Sequence, residues 1–214
     1  MILTIDFLIN EAKKFSEWFS TLNHPILIGI TDGKAVGTYV EHAFQDYLNC
    51  HYEMERGSSA LGIDLPSVNT DIKTTSIVQP QSSCPFKSAR QKIFGLGYNL
   101  LVFVYQKQDT AHECFLNITH CTFIEAARTA DYTITKRLRE MIKDGAYKED
   151  IIGFLEDRNV PGDEIIYNEL ADEILLYPPK QGFLTISNAL QWRLQYKRVI
   201  SLDNTVLGVV NFVW

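Results

Sequence analysis

Residues 62 to 75 read Gly62-Ile63-Asp64-Leu65-Pro66-Ser67-Val68-Asn69-Thr70-Asp71-Ile72-Lys73-Thr74-Thr75. Residues 69–78 are rich in threonine, isoleucine and valine, a composition that favours a strand. Side chains two positions apart on a strand share a face, so Asp71 and Lys73 project together while Ile72 points to the buried side. Asp64 lies seven residues before Asp71, across a proline-containing turn. A short hairpin is predicted to bring the two carboxylates together.

Paired carboxylates in this hairpin indicate a metal site. Two such groups repel each other and raise a pKa unless a positive charge lies between them. Mg²⁺ takes oxygen ligands and keeps several waters, so Asp64 and Asp71 are its predicted ligands. A metal-bound water is a nucleophile for in-line attack on phosphorus, and Lys73 is predicted to hold or deprotonate it, or to neutralise developing phosphate charge. The alternative is a turn cap at Asp64 and an exposed ion pair between Asp71 and Lys73.

A further acid is predicted near this site on separate grounds. Residues 35–49 have helical spacing, and Glu41 shares the apolar stripe of that helix with Gly37 and Phe44. A carboxylate on a buried face is costly unless it is paired, hydrogen-bonded or bound to a metal. The alternative is a glutamate at the helix edge, paired with Lys34 or another surface base.

The segments around the motif alternate between strand and helix patterns. Helices are predicted over residues 6–22, with Asp6 as the N-cap, and over 35–49. The other predictions are strands at 26–30, 99–105, 114–123, 182–187, 198–202 and 206–213, a loop at 79–86, a basic helix at 88–96, helices across 124–158 and a helix from about 188. Strands, then helices, then strands indicate a mixed α/β fold in which a small sheet is flanked by helices.

The motif and the helix before it resemble a known nuclease superfamily. Gly37-Thr38-Tyr39-Val40-Glu41, then Asp64, six residues, and Asp71-Ile72-Lys73-Thr74 are similar to the PD-(D/E)XK nucleases. The compact spacing most resembles the MutH-type mismatch-repair nicking enzyme and related restriction endonucleases. The resemblance implies Glu41 as the helix acid, Asp64 as the bridging metal ligand, Asp71 as the second ligand and Lys73 as the catalytic lysine. It also implies Mg²⁺-dependent hydrolysis of DNA phosphodiesters that leaves 5′-phosphates.

The chain departs from the superfamily pattern at three points. Asp71 stands where glutamate is commoner, and no proline precedes Asp64. The interval from Glu41 to Asp64 is also longer than in the mismatch-repair enzyme. That longer interval leaves Glu53 or Glu55 as substitutes for Glu41.

The fold implied by the resemblance is α/β, with a restriction-endonuclease-like core, a helical insertion and C-terminal strands. A chain of 214 residues suits one domain. One nuclease domain is therefore predicted over residues 1–214. Its catalytic core covers about 26–123, a helical elaboration about 124–180, and C-terminal strands and a helix 181–214.

Positive charge is concentrated just after the motif. Residues 72–108 contain five lysines and arginines and no acid, in a chain whose net charge is −6. A phosphate backbone needs such a local basic surface more than an overall positive charge. Amides and hydroxyls of the 79–86 loop are predicted to read base edges, and nearby cations to contact phosphates. The predicted DNA-binding residues are Gln79, Gln81, Ser82, Ser83, Lys87, Arg90 and Lys92. Arg193, Lys197 and Arg198 form a weaker candidate cluster.

Sequence composition also bears on where the protein is located in the cell and on whether it has a disulfide, zinc or cysteine-based site. No apolar run approaches the roughly 20 residues that span a bilayer, and no secretory signal is visible, which predicts a cytoplasmic protein with no membrane partner. The four cysteines include no Cys-x-x-Cys pair, so free thiols are expected. Two alternative sites are a zinc site and a Cys-His hydrolase. The zinc ligands would be His112, Cys114, His120 and Cys121.

The sequence favours a type II restriction endonuclease acting on double-stranded DNA. The loop at 79–86 and the long C-terminal part provide material for sequence readout. Cleavage of a palindrome on both strands would normally involve a homodimer whose two-fold axis matches that of the DNA site. The alternatives are a repair nickase, a junction nuclease and a DNA-binding module without catalysis.

Overall fold

A four-stranded mixed sheet forms the centre of the molecule. The computed structural model describes residues 1–54, 57, 62–83, 88–187 and 193–214. Strand order is β1 (Thr70–Ser76), β3 (Asn99–Asp109), β4 (Cys114–Ile124) and β7 (Val209–Val213). β1 runs parallel to β3 at one edge, and the other neighbours are antiparallel. The first seven residues of β3 are buried, as expected of a strand covered on both faces.

Two helices cover one face of this sheet. They are α1 (Ile5–Phe19) and α2 (Gly33–Asn49). Their apolar stripes pack with residues of β1, β3 and β4 in one core that includes Phe15, Phe44 and Phe103. The predicted N-cap at Asp6 is wrong, because α1 begins one residue earlier and the Thr4 hydroxyl accepts the Phe7 N–H at 3.3 Å.

A small second sheet covers part of the other face. It is antiparallel, in the order β2 (Gln81–Ser83), β6 (Arg193–Gln195) and β5 (Thr185–Ile186). Leu194 and Ile186 pack with Leu100, Val102 and Val104 of β3, which alternate with the β3 residues that face α1 and α2. The central sheet is therefore covered by helices on one face and partly by this small sheet on the other.

A helical layer with its own core completes the molecule. It contains α3 (Ala89–Phe94), α4 (Tyr132–Lys143), α5 (Lys148–Asp157) and α6 (Glu164–Leu176). Buried apolar residues from all four helices form this third core. The predicted α/β class, with a small mixed sheet flanked by helices, is confirmed.

Four local predictions differ from the structure. Residues 26–30 form no strand, because Pro25 begins a short 3₁₀ turn, Pro25–Leu27. Residues 198–202 are a second such turn, Val199–Ser201, with Val199 and Ile200 buried. The loop predicted at 79–86 contains β2, and the helix predicted from about 188 reaches a strand at 193–195. Residues 188–192 lie outside the described part of the chain.

No helix in the described part of the chain has both the length and the apolar content needed to cross a bilayer.

Candidate active site

The hairpin predicted between Asp64 and Asp71 is present. A 3₁₀ turn, Pro66–Val68, reverses the chain, and a bridge joins Leu65 to Thr70. One Asp64 carboxylate oxygen accepts the backbone N–H of Ile72 at 2.8 Å. The two carboxyl groups lie within hydrogen-bonding distance of each other, as the sequence predicted.

Asp71 and Lys73 lie on β1, which is an edge strand of the four-stranded sheet. The Lys73 ammonium lies 2.5 Å from an Asp71 carboxylate oxygen and donates to the Ile72 carbonyl at 3.1 Å. Asp71 is 4% exposed. Burial raises the pKa of its carboxyl, and the hydrogen bond with Asp64 adds to the rise, while the Lys73 charge opposes it. Asp64 and Asp71 therefore form an acid pair that needs a proton or a cation to relieve repulsion.

Glu41 reaches the same place from α2. Its carboxyl is close enough to interact with the charges of both Lys73 and Asp64, and it accepts the backbone N–H of Thr74. Burial raises the pKa of Glu41 to about 7, and the negative charge of Asp64 adds to the rise. Close approach of the helix makes this possible, since a Cβ at Gly37 would lie 3.5 Å from the Thr74 carbonyl oxygen.

The other candidates for the helix acid are not at this site. Glu53 is exposed and bridges to Ile2 by its backbone. Glu55 lies outside the described residues. Glu41 is thus the acid that the structure brings to Lys73 and Asp64.

An open cleft of about 640 Å³ leads away from these residues. Glu41 and Lys73 line it, together with four of the residues predicted to read DNA: Gln79, Gln81, Ser82 and Ser83. Thr75 anchors this wall, because its hydroxyl accepts the Gln81 N–H at 3.1 Å and donates to the Gln81 carbonyl at 3.0 Å. The polar loop therefore shares one cleft with Glu41 and Lys73 of the cluster, whereas Asp64 and Asp71 do not line it.

The predicted phosphate contacts after the loop are placed differently. Arg90 forms hydrogen bonds of 2.6 to 3.0 Å with Glu173 of α6. Lys92 is 3% exposed and faces Asp131, so its side chain does not lie on a surface that DNA can reach. Lys87 lies outside the described residues. Neither Arg90 nor Lys92 lines the cleft.

Three other residues of the cleft had little or no signal in the sequence. Arg193, a weaker sequence candidate, lines it from β6 opposite Ser83. Lys34 and Tyr105 line it from α2 and β3. A tyrosine at the end of an apolar run was the available signal for Tyr105, and nothing marked Lys34 as a cleft residue.

The donor set beside this cleft fits a hard divalent cation, although Asp64 and Asp71 lie behind its lining residues Glu41 and Lys73. Mg²⁺ is held by one or two carboxylates and keeps several waters, and Asp64 and Asp71 offer carboxylates in contact with each other. Across residues 1–54, 57, 62–83, 88–187 and 193–214, no group of three or more His, Cys, Asp or Glu residues has the arrangement of a metal cage. A cation at this site would therefore rely on water and phosphate oxygens for its remaining ligands.

An α/β core with an acid–acid–lysine cluster beside an open cleft is compatible with a restriction-endonuclease-like core. A family model described as "Type II restriction enzyme NspV" matches residues 2–211. "Type II restriction enzyme NspV" from Nostoc sp. is 58% identical over 211 residues, which are 98% of this chain and 96% of that protein. The chain is a type II restriction enzyme, a sequence-specific DNA endonuclease. It belongs to the NspV family of these enzymes. No solved structure matches it.

This membership decides among the functions considered from the sequence. The prediction of a restriction endonuclease is confirmed, and the nickase, junction-nuclease and non-catalytic alternatives are set aside.

Proposed function

We propose that this restriction enzyme cuts DNA by Mg²⁺-dependent hydrolysis at Glu41, Asp64, Asp71 and Lys73, in the manner of the PD-(D/E)XK superfamily. Two contacts carry the proposal: the Asp64 and Asp71 carboxyls contact each other, and the Lys73 ammonium lies 2.5 Å from Asp71. The superfamily resemblance further supports hydrolysis that leaves 5′-phosphate ends.

Each side chain has a distinct role in this proposal. The Ile72 N–H fixes the Asp64 carboxylate, so Asp64 and Asp71 present a rigid pair of oxygen ligands. When bound, Mg²⁺ supplies an acidified water and neutralises phosphate charge. Lys73 is placed to orient the attacking water and to stabilise negative charge on the phosphate. Glu41, half-buried and within electrostatic range of Lys73, is available to take a proton, while Asp71 and the Ile72 carbonyl hold the ammonium.

Sequence readout is assigned to the polar wall of the cleft. Gln79, Gln81, Ser82 and Ser83 carry the amides and hydroxyls that read base edges in the major groove. We further propose that residues 1–214 act as one nuclease domain, because β7 completes the same sheet to which β1 belongs. A homodimer acting on a palindromic site in the cytoplasm fits this arrangement.

The direct test is plasmid cleavage by single variants. With Mg²⁺, Asp71→Ala and Lys73→Ala are expected to lose at least about 10²-fold in cleavage rate, the size of effect seen when one preorganised charge-stabilising group is removed. DNA binding without divalent metal is expected to persist. Lys107→Ala is a matched control, because Lys107 pairs with Asp109 two residues away on β3, outside the cleft. Wild-type cleavage by Lys73→Ala would refute this centre.

The same digest tests the products and the metal. Sequencing the cut ends gives the recognised site, and ligation of those ends without prior phosphorylation is expected if they carry 5′-phosphates. Chelation by EDTA is expected to stop cleavage, and Mg²⁺ to restore it. Ends that ligate only after enzymatic phosphorylation would contradict the proposed bond cleavage.

A further inference from the structure

Tyr105 has an unusual position at one end of the cleft. Its side chain is 5% exposed, and it packs in the core beneath α2. The side chain nevertheless lines the cleft. Within the described part of the chain, the Tyr105 hydroxyl has no hydrogen-bond partner. The hydroxyl is not one of the fully enclosed polar atoms that lack a partner; it reaches the cleft, where a ligand oxygen can accept its hydrogen.

The surroundings of Tyr105 favour an anion. The first turn of α2, with Gly33 and Lys34, lines the same end of the cleft and contributes the positive end of a 17-residue helix. Asp32 is the acid at this end. Its carboxylate is used as the N-cap and accepts the Lys34 N–H at 3.0 Å. Burial raises the pKa of the Tyr105 hydroxyl, and the charge of Asp32 raises it further, so the hydroxyl stays protonated and acts as a donor.

The distance from the Tyr105 end of the cleft to the proposed catalytic residues can be worked out along β1 and along α2, and the two values agree. Tyr105 is paired in register with Ser76, which lies three residues beyond Lys73 on β1, or about 10 Å at the rise of a strand. Lys34 lies seven residues before Glu41 on α2, or about 10 Å at the rise of a helix. One DNA strand advances about 3.4 Å per nucleotide along the duplex axis. A strand whose cut phosphate lies at Lys73 would therefore place a second phosphate, within about three nucleotides, at Tyr105.

We propose that the Tyr105 hydroxyl donates a hydrogen bond to a non-bridging oxygen of a DNA backbone phosphate near the cut, with Lys34 supplying the charge. The inference rests on the proposed function, since it takes the cut phosphate to lie at Lys73. The contact fixes the register of the strand in the cleft and carries no base information. It makes Tyr105 and Lys34 DNA-contacting residues, separate from the acids that bind the metal.

Removing one hydroxyl tests this contact. Tyr105→Phe keeps the buried ring, and Tyr39→Phe is the matched control, because its hydroxyl bonds His24 away from the cleft. The probe is a duplex carrying the site read from sequenced cut ends, and its dissociation constant is measured in EDTA. Tyr105→Phe is expected to bind at least about ten-fold more weakly, as for a lost hydrogen bond to a charged group. Tyr39→Phe is expected to bind within about two-fold of wild type. Equal affinities for Tyr105→Phe and wild type would overturn the proposal.

A scan of the DNA backbone locates the contact and excludes a mere loss of fold. Each phosphate near the cut is replaced in turn by an uncharged methylphosphonate. At one position the replacement should weaken binding by wild type and add little for Tyr105→Phe, whereas other positions should weaken both equally. Equal penalties at every position would show that Tyr105 acts only through folding, and would refute the contact.

The proposed catalytic centre can fail independently of this contact. That centre is tested by the cleavage rate of Asp71→Ala, whereas Tyr105 is tested by binding without metal. Cleavage by Asp71→Ala at the wild-type rate, together with weak binding by Tyr105→Phe, would reject the centre and retain the phosphate contact. The reverse pattern would reject the contact alone.

Discussion

Asp131→Ala is expected to weaken the attachment of the helical layer to the small sheet. Asp131 is 5% exposed and uses both carboxylate oxygens. One accepts the Ile134 N–H at 3.0 Å and caps α4, and the other accepts the Ile186 N–H of β5 at 2.9 Å. One buried side chain therefore holds a helix and a strand that are far apart in sequence.

The magnitude follows from these two bonds. Loss of an N-cap costs about 1 kcal/mol, and a buried N–H left without an acceptor costs about 1–3 kcal/mol. We therefore expect these two bonds alone to lower the free energy of unfolding by about 3 kcal/mol, and the lost charge opposite the buried Lys92 adds to this loss. In a chain of this size that lowers the melting temperature by about 6–12 °C. Alanine cannot restore either bond, and the Ile186 N–H is too buried for water to replace the carboxylate freely.

Thermal and urea unfolding of paired variants measure this effect. Asp163→Ala is the control, because Asp163 caps α6 through the exposed Ile166 N–H at 3.0 Å and makes no second bond of this kind. It should lose only about 1 kcal/mol. If Asp131→Ala lost no more stability than Asp163→Ala, the bond to β5 would contribute nothing and the reasoning would fail.

Three further predictions concern pH, surface charge and the cleft wall. Burial lowers the pKa of His24 in the folded protein, so its contribution to stability is complete above about pH 6.5 and is lost as the pH falls through the lowered folded value. The fall in the free energy of unfolding between about pH 7.5 and pH 5.5, measured in urea, should therefore be smaller in His24→Gln than in the wild type. An equal fall in both proteins would contradict this. Arg90→Ala should bind DNA with an affinity within about two-fold of wild type, because Arg90 is held by Glu173. A large loss of affinity would support the sequence prediction that Arg90 contacts DNA. Thr75→Val should lower the free energy of unfolding by about 1–2 kcal/mol and weaken DNA binding, because the Gln81 N–H loses its acceptor. If urea unfolding of this variant were unchanged, the Thr75 hydroxyl would not stabilise the cleft wall.

The core of the site was predictable because its geometry is local. The two-residue period of a strand places Asp71 beside Lys73. The turn between Asp64 and Asp71 is so short that the two carboxyls must lie close together. Glu41 was found by a different local rule, the helical spacing that turns it toward the sheet. None of these placements needs knowledge of distant parts of the chain.

Placements that depend on distant partners could not be predicted in this way. A run of basic residues does not show which way each side chain points. The Arg90 side chain points to Glu173, which is 83 residues away in sequence. Lys92 is directed by burial near Asp131. The short strands β2 and β6 have three residues each, too few for a periodic pattern, and they exist because they pair with each other across more than a hundred residues.

The pairing of β2 with β6 also affects the order in which the enzyme becomes active during synthesis. A ribosome delivers residues 81–83 long before residues 193–195, and β7 follows later still. The acids and the lysine of the motif are therefore made early, but one wall of the cleft and one strand of the main sheet are missing until most of the chain has emerged. A nascent chain would thus carry the proposed catalytic residues without the complete cleft beside them. If the cleft holds the DNA as proposed, this order of assembly keeps a restriction enzyme from cutting before the cleft is complete.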